Sequence, residues 1–252
     1  MPTLPFASYI ICTSPRSGST MLCKLLAATK AAGNPGSLFH NPTIDAWCAY
    51  YGLDAAAYPS KQKLLEAIFS AAKVRGKGGT DVFGLRLQRG SFAFFMQQLG
   101  FLHPGQASDL ARLEAAFGPT LFIYLTRDDK LDQAISCVRA EQSGLWHRNS
   151  DGSELERTAP PRDAGFDADA IKAHMDEFSA FETAWQSWFE TQGISPLTVT
   201  YDRLSREPQA ILTEIVSALG LDASIAADVP VQTAKMADET SLAWRTRFEA
   251  AG

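Results

Sequence analysis

The stretch SYIICTSPRSGST (8–20) joins an apolar run to a loop of small and polar residues. The β-branched and apolar residues of SYIICT (8–13) predict a buried strand. The following segment, MLCKLLAATK (21–30), carries leucines at helical spacing and predicts an amphipathic helix that begins at about Gly18. A strand, a small-residue loop and a helix in this order predict a phosphate-binding loop at the carboxyl end of a sheet strand.

The loop residues offer several kinds of anion ligand. Gly18 lets the backbone approach an anion closely, and the N–H groups and dipole of a helix N-terminus attract negative charge. Ser17, Ser19 and Thr20 add hydroxyl donors, and Arg16 adds a planar guanidinium suited to phosphate or sulfate oxygens. Taken alone, the loop also fits a helix capped by serine with a solvated arginine, but the buried strand before it favours an anion site.

The loop departs from the GxxxxGK[ST] pattern of triphosphate-binding loops. Thr13 stands at the first glycine position and Ser19 at the lysine position. Because that lysine contacts the β- and γ-phosphates, its absence favours a ligand with fewer phosphates. A thiol phosphatase is disfavoured as well, since Cys12 is expected inside the strand and too close to Arg16 for an anion-binding loop between them.

A second group of residues follows LFIYLT (121–126), the clearest strand in the chain. Arg127 ends this strand, and Ser136 lies nine residues further on, on the next predicted helix. An arginine and a helix hydroxyl at this edge could hold a second, separate phosphate. An ion pair of Arg127 with Asp128 or Asp132 is the alternative that the residues leave open.

Strands and helices alternate along the rest of the chain. Further strands are predicted at 81–87 and 196–201, and helices at 61–75, about 107–117, 128–142, 167–192, 207–219 and the end of 231–250. The polar, proline-bearing segment 143–166 is expected to be a long loop. Strands separated by helices imply a parallel sheet covered on both faces. We expect an α/β, P-loop-type three-layer fold, with residues 1–252 forming a single domain.

Composition excludes several classes of protein. The net charge of −5 and the isoelectric point near 5.4 argue against non-specific nucleic-acid binding. Cys12, Cys23, Cys48 and Cys137 have no CxxC spacing, so we expect free buried thiols and a reducing, cytoplasmic location. The segment 1–12 lacks the basic region of a signal peptide, and no apolar stretch reaches membrane-spanning length.

Together these stretches resemble sulfotransferases that use 3′-phosphoadenosine 5′-phosphosulfate (PAPS). TSPRSGST (13–20) is similar to their 5′-phosphosulfate loop, and TRDDKLDQAIS (126–136) to their 3′-phosphate motif. The best match is the bacterial family of trehalose 2-sulfotransferases and related lipopolysaccharide or nodulation-factor sulfotransferases. Further matching stretches are AGNPGSLF (32–39), VFGLRL (82–87), AISCVRAEQSGLW (134–146), WQSWF (185–189), TVTYDRL (198–204) and KMADETSLAWRTRF (235–248).

The resemblance implies transfer of a sulfo group from PAPS to a hydroxyl of a carbohydrate or glycolipid, with no metal ion and a possible homodimer. It assigns the 5′-phosphosulfate to Arg16, Ser17, Gly18, Ser19 and Thr20, and the 3′-phosphate to Arg127 and Ser136. Arg139 matches a family arginine on the same helix. Arg86 matches a basic position, usually lysine, that could touch the leaving phosphate or the acceptor. A nucleotide-dependent phosphotransferase and a non-catalytic nucleotide-binding domain are the alternatives.

One departure from the family concerns the general base. The family has a glutamate in a Gly-Glu-Pro-Gln-Glu-Phe-Phe stretch, and here Ser37 of GNPGSLF stands at its position. A serine cannot act as a base at neutral pH without help. His40 lies three residues on, and the ordinary pKa of histidine is near 6.5. We therefore predict that His40 is the base, a surface histidine being the alternative. His147, in the long loop over 143–166, is the next candidate. The acceptor, trehalose included, stays open.

Overall fold

The computed structural model describes residues 4–233 and 236–250. The strands are β1 (Ser8–Thr13), β2 (Phe83–Gln88), β3 (Thr120–Thr126), β4 (Leu145–Arg148), β5 (Glu154–Arg157) and β6 (Leu197–Thr200). The α-helices are α1 (Ser19–Ala28), α2 (Ile44–Tyr51), α3 (Lys61–Lys77), α4 (Arg89–Leu102), α5 (Asp109–Phe117), α6 (Lys130–Ser143), α7 (Ala168–Gln192), α8 (Tyr201–Arg206), α9 (Pro208–Ala218) and α10 (Glu239–Glu249).

Four strands form one parallel sheet in the order β2-β1-β3-β6. β1 pairs on both sides, and its last residue, Thr13, lies opposite Gln88 of β2 and Leu125 of β3. β6 extends the sheet, with Thr200 opposite Thr126. The carboxyl ends of all four strands therefore meet at one edge, which is where open α/β sheets bind ligands.

The side chains of β1 alternate between two apolar clusters on opposite faces of the sheet. Ile10 and Cys12 pack with residues of α2, α3, α4, α5 and α7, whereas Tyr9 and Ile11 pack with residues of α1 and α9. All four side chains are fully buried, as a strand covered on both faces requires. The predicted α/β three-layer fold with a central parallel sheet is confirmed.

The aromatic residues of α7 belong to this core. Trp185, Trp188 and Phe189 lie in the cluster that packs on Ile10 and Cys12. Trp185 also donates a hydrogen bond from Nε1 to the carbonyl oxygen of Thr13, at 3.0 Å. α7 therefore supports the point where β1 ends and the loop before α1 begins.

The segment 143–166 is not a simple loop, and that prediction was wrong in part. β4 and β5 form an antiparallel hairpin in which Leu145 lies opposite Arg157. Each strand has only four residues, too few for the alternation of side chains to be recognised. Contacts outside the ladder fix the hairpin: Trp146 Nε1 donates to Thr158 Oγ1 at 3.0 Å, and Arg157 Nη1 donates to the carbonyl oxygen of Ser143 at 2.7 Å.

The expectations about cysteines, membrane-spanning segments and the chain ends compare with the structure as follows. All four cysteines are free and buried, as predicted. Within residues 4–233 and 236–250, no helix has both the length and the apolar composition needed to cross a bilayer. Residues 1–3, 234–235 and 251–252 lie outside the described part, and with them Lys235 of the matching tail. The single domain over 1–252 stays a prediction.

Candidate active site

The loop after β1 is fixed from inside by hydroxyl groups. Thr13 Oγ1 donates to the carbonyl oxygen of Leu125 at 2.7 Å and shares a hydrogen bond of 2.5 Å with Ser17 Oγ. Both residues are fully buried. Gln133 of α6 holds the other side, because its Nε2 donates to Ser14 Oγ at 3.0 Å and to the Pro15 carbonyl oxygen at 2.6 Å. Ser17, predicted as an anion ligand, has its hydroxyl engaged in this internal support.

The loop backbone turns sharply before α1. Arg16 and Gly18 both have positive φ angles, of 60° and 85°. Gly18 is the N-cap of α1 and offers no side-chain cap, so the first-turn N–H groups are left for an external acceptor. A Cβ at position 18 would lie 2.5 Å from Cδ2 of Tyr201. Only glycine fits both the backbone angle and the space.

Arg16 connects the loop to α6 and to the hairpin. Its Nε donates to Ser136 Oγ at 2.9 Å, and its Nη1 donates to the carbonyl oxygen of Trp146. Burial lowers the pKa of Arg16 from its ordinary value. Within residues 4–233 and 236–250, no carboxylate forms an ion pair with this partly buried guanidinium. Such a charge is costly to leave uncompensated, so a bound anion would compensate it. The structure thus brings the predicted 5′ and 3′ motifs into direct contact.

Arg127 lies beside Arg16 at the end of β3. It is only 9% exposed, and its Nη1 donates to the carbonyl oxygen of Arg16 at 3.4 Å. Its guanidinium stacks on the ring of Tyr201 at 4.6 Å. The ion pair with Asp132, considered from the sequence, is present as a long contact of 3.6 Å, too long to satisfy the guanidinium fully.

Arg86 of β2 reaches the first turn of α1 from the other side. Its Nη1 donates to Thr20 Oγ1 at 2.9 Å and to Ser19 Oγ at 3.2 Å. Its Nε donates to Ser37 Oγ at 2.9 Å. The residue that replaces the family glutamate therefore contacts Arg86. A cation from β2 thus lies against the position where triphosphate loops carry their lysine.

Arg139 lies on α6 one turn after Ser136, and its guanidinium is hydrogen-bonded to the C-terminal segment at the start of α10. It donates from Nη1 and Nη2 to the two carboxylate oxygens of Asp238, at 2.6 and 2.8 Å, and also to Ser241 Oγ. These bonds hold the pKa of Asp238 down at about 2. Arg139 borders the same cavity as Arg16 and Arg127, but its cofactor contact stays a prediction.

The two histidines near the loop differ in placement. His40 lies at the surface; surrounding protein atoms that shield part of the ring from water, and the charge of Arg86, lower its pKa. His147 of β4 shares a hydrogen bond of 2.9 Å between its Nε2 and Thr20 Oγ1. Burial and the nearby cations lower the pKa of His147 to about 3. The role of His40 as base stays a prediction; His147 is the histidine that contacts the loop.

A cavity of about 680 Å³ lies over the loop, between α6, the hairpin and the tail. The basic residues along its wall are Arg16, Arg127, Arg139, Arg148, Arg157 and Arg162, and the acidic ones are Asp132, Asp163 and Asp238. The excess of positive charge contrasts with the net charge of −5 of the whole chain. The cavity is therefore suited to a ligand with several negative charges.

Two contributors to this site were not foreseen from the sequence, and a third, His147, was foreseen only as the next candidate for the base after His40. Gln133 supports the loop, Tyr201 faces both Gly18 and Arg127, and His147 bonds to Thr20. Tyr201 directly follows β6 and thus lies at the ligand-binding edge of the sheet. Its place after a predicted strand could therefore have indicated a role in the site. Gln133 carries no such signal, and the sequence did not show that His147 contacts Thr20.

A helix N-terminus at the end of a parallel strand, next to buried and partly buried arginines and a basic cavity, defines an α/β protein suited to a multiply charged anion. The family model of the Stf0 sulphotransferases matches residues 8–251, and the chain belongs to that family. It is a sulfotransferase, an enzyme that transfers a sulfo group.

Two relatives are trehalose 2-sulfotransferases. That of Mycobacterium tuberculosis is 27% identical over 262 residues, which covers 96% of this chain and 94% of the relative. That of Mycolicibacterium smegmatis is 27% identical over 260 residues, with the same coverage of 96% and 94%.

Two solved structures are similar to the chain. One is the sulfotransferase domain of the olefin synthase from Synechococcus PCC 7002, with 15% identity, a TM-score of 0.43 and coverage of 96% of this chain and 94% of that one. The other is a sulfotransferase from Alicyclobacillus acidocaldarius, with 14% identity, a TM-score of 0.44 and coverage of 96% and 91%.

Proposed function

We propose that the enzyme transfers the sulfo group of PAPS to a hydroxyl of a carbohydrate or glycolipid. The single observation that carries the proposal is the junction of Arg16, Ser136 and Arg127 on one wall of the basic cavity. A nucleotide with phosphate groups at both its 3′ and 5′ positions is the kind of anion that fits two adjoining basic positions. The family implies a sulfo donor, and PAPS is our proposal for it.

The residues present fit the donor. The uncapped N–H groups of α1, with Ser19, Thr20 and Arg16, would hold the 5′-phosphosulfate; Arg127 and Ser136 would hold the 3′-phosphate, with Arg139 beside them. When bound, the donor supplies a sulfo group on a phosphate that leaves with its bonding electron pair. Arg16 and Arg86 supply fixed positive charge where that negative charge develops.

The preference for PAPS over ATP rests on the loop. Ser19 occupies the lysine position, and its hydroxyl accepts a hydrogen bond from Arg86. Ser19 carries no charge and cannot bind the β- and γ-phosphates as the lysine of triphosphate loops does. Catalysis without a metal ion is part of the proposal, because the arginines and the helix N-terminus offer the charge that magnesium supplies to kinases.

A carbohydrate acceptor is supported by the relatives, whose names specify trehalose. Trehalose itself is one candidate, but Ser37 and its hydrogen bond to Arg86 make the acceptor side different from that of the family pattern. A homodimer and a cytoplasmic location complete the proposal. Light scattering of the purified protein would test the dimer.

The test is transfer of [³⁵S]sulfate from labelled PAPS to a panel of sugars and lipid extracts, with trehalose and glucose included. We expect a labelled sulfate ester with at least one acceptor. Arg16→Ala should abolish it, and Lys172→Ala, which removes an exposed pair with Asp176 on α7, should not. Binding of PAPS without any transfer, across the panel and to water, would contradict the proposal in favour of a non-catalytic nucleotide-binding domain.

A further inference from the structure

The acceptor side of the site lacks the carboxylate that the family pattern places at position 37. Ser37 occupies that position, and its oxygen accepts a hydrogen bond from Arg86 Nε at 2.9 Å. Sulfo transfer to an alcohol nevertheless requires that the attacking oxygen lose its proton. A positioned base accelerates such a step by about 10²–10⁴-fold, so another group should supply this function.

The hairpin brings a histidine and a carboxylate to the first turn of α1. His147 of β4 and Arg86 both bond to Oγ1 of Thr20, each at 2.9 Å. Oε2 of Glu156, on β5, lies 3.6 Å from Nε2 of His147. His147 therefore lies beside the loop, next to Thr20. The Thr20 oxygen that it contacts also accepts a hydrogen bond from Arg86, which in turn donates to Ser37.

Burial and the nearby positive charges keep the ring of His147 neutral. Burial contributes most, and the charges of Arg16 before α1, Arg86 on β2 and Lys24 in α1 add to it, so that the pKa of His147 is held down at about 3. Glu156 is the carboxylate that faces the ring. An anion bound at Arg16 and Arg86 offsets the positive charge, which raises the basicity of the ring when the donor is in place.

We infer that His147, paired with Glu156, is the base for sulfo transfer, and this inference rests on the function proposed above. When the hydroxyl of Thr20 turns from His147 to the 5′-phosphosulfate, the lone pair of Nε2 becomes free. Nε2 then takes the proton of the acceptor hydroxyl as the oxygen forms its bond to sulfur. The bond between sulfur and the 5′-phosphate oxygen breaks, and its electron pair leaves with the phosphate. Glu156 stabilises the imidazolium, which then returns its proton to water.

Glu156 lies close enough to influence two histidines, so the roles of His40 and His147 have to be tested separately. Its charge acts on His40 as well as on His147. His40 is the exposed one of the two, whereas the side chain of His147 is 24% exposed and borders the cavity. A loss of activity in Glu156→Gln alone would not separate them, so each histidine needs its own variant.

The experiment compares His147→Gln, Glu156→Gln and His40→Asn with wild type, and His103→Asn, at the end of α4, serves as the control. Glutamine at 147 keeps a hydrogen-bonding group near Thr20 but removes the base. We expect His147→Gln to lower kcat at least about 100-fold and Glu156→Gln to lower it about tenfold. Affinity for 3′-phosphoadenosine 5′-phosphate (PAP), measured by calorimetry, should stay within about twofold.

The readout is label transfer, and where no sugar in the panel accepts, hydrolysis of PAPS by water, which needs the same proton removal. Wild-type kcat in His147→Gln, or a loss confined to His40→Asn, would overturn the inference and leave the proposed function intact. Failure of the wild type to bind PAP and to consume PAPS would instead reject the proposed function, and the base with it.

Discussion

Nε of Arg16 donates a hydrogen bond of 2.9 Å to Oγ of Ser136, a residue 120 positions further along the chain. The bond joins the loop after β1 to the helix after β3. The two motifs that the sequence assigns to separate phosphates therefore form one continuous surface. An anion bound to one motif should affect the affinity at the other, because both depend on the position of the same guanidinium.

Gly18 should be the least replaceable residue of the loop. Gly18→Ala meets an unfavourable φ of 85° and a contact of 2.5 Å with Tyr201. Gly52→Ala is a matched control, since Gly52 has a φ of 66° and no atom within 4 Å of the added Cβ. We expect a loss of about 1–2 kcal/mol in unfolding free energy for Gly52→Ala, and at least about 1 kcal/mol more for Gly18→Ala.

Urea unfolding of both variants measures the difference. The same variants should separate in PAP affinity, since a displaced Tyr201 also loses its stacking on Arg127. Equal losses of stability in the two variants would mean that Tyr201 does not press on position 18.

Chelation of metal ions should leave activity unchanged. Arg16, Arg86 and the N-terminus of α1 already supply the charge that a metal ion would bring. We expect sulfo transfer in EDTA at the rate seen without it, and a loss of about 100-fold or more in Arg16→Lys, because a lysine cannot contact Ser136 and Trp146 at once. Activity abolished by EDTA and restored by magnesium would instead favour a phosphotransferase.

The contact between Arg139 and Asp238 should be sensitive to acid. The hydrogen bonds from Arg139 depress the pKa of Asp238 to about 2 in the folded protein, below its ordinary value near 3.9. The stabilisation is therefore complete above about pH 4 and is lost as the pH falls through about 2. Because the carboxylate is half exposed, its contribution is less than about 1 kcal/mol.

Urea unfolding of wild type and Asp238→Asn at pH 6, 4 and 2.5 tests this contact. The advantage of the wild type should shrink towards the lowest pH. Asp228→Asn, at an exposed position after α9, is the control and should show no such trend. A wild-type advantage that persists unchanged at pH 2.5 would mean that the ion pair does not hold the tail.

The elements that carry their own pattern could be predicted, and those that depend on distant partners could not. β1 and β3 are apolar runs bounded by polar residues, so both strands and the edge where Arg16 and Arg127 meet were evident. α4 was missed because it begins at Arg89 directly after β2, with no turn residue between them. The hairpin was missed because tertiary contacts, such as that of Arg16 with Trp146, select it.

The site shows the same division. Residue types in the loop indicated an anion, and the arginine after β3 indicated a second basic position. Sequence spacing could not show that Arg139 is occupied by Asp238, since 99 residues separate them. Nor could it show that His147 contacts Thr20 across 127 residues. Partners that arise from folding of distant segments leave no local pattern.

The proposed function requires that one cavity bind a nucleotide through its 3′- and 5′-phosphates together. Calorimetric titration of wild type and Arg127→Ala with PAP and with AMP tests it most directly. A charge-assisted hydrogen bond contributes about 1.5–3 kcal/mol, so Arg127→Ala should weaken PAP binding about ten- to hundredfold and leave AMP binding within about twofold. Equal affinity of the wild type for PAP and AMP would contradict the claim.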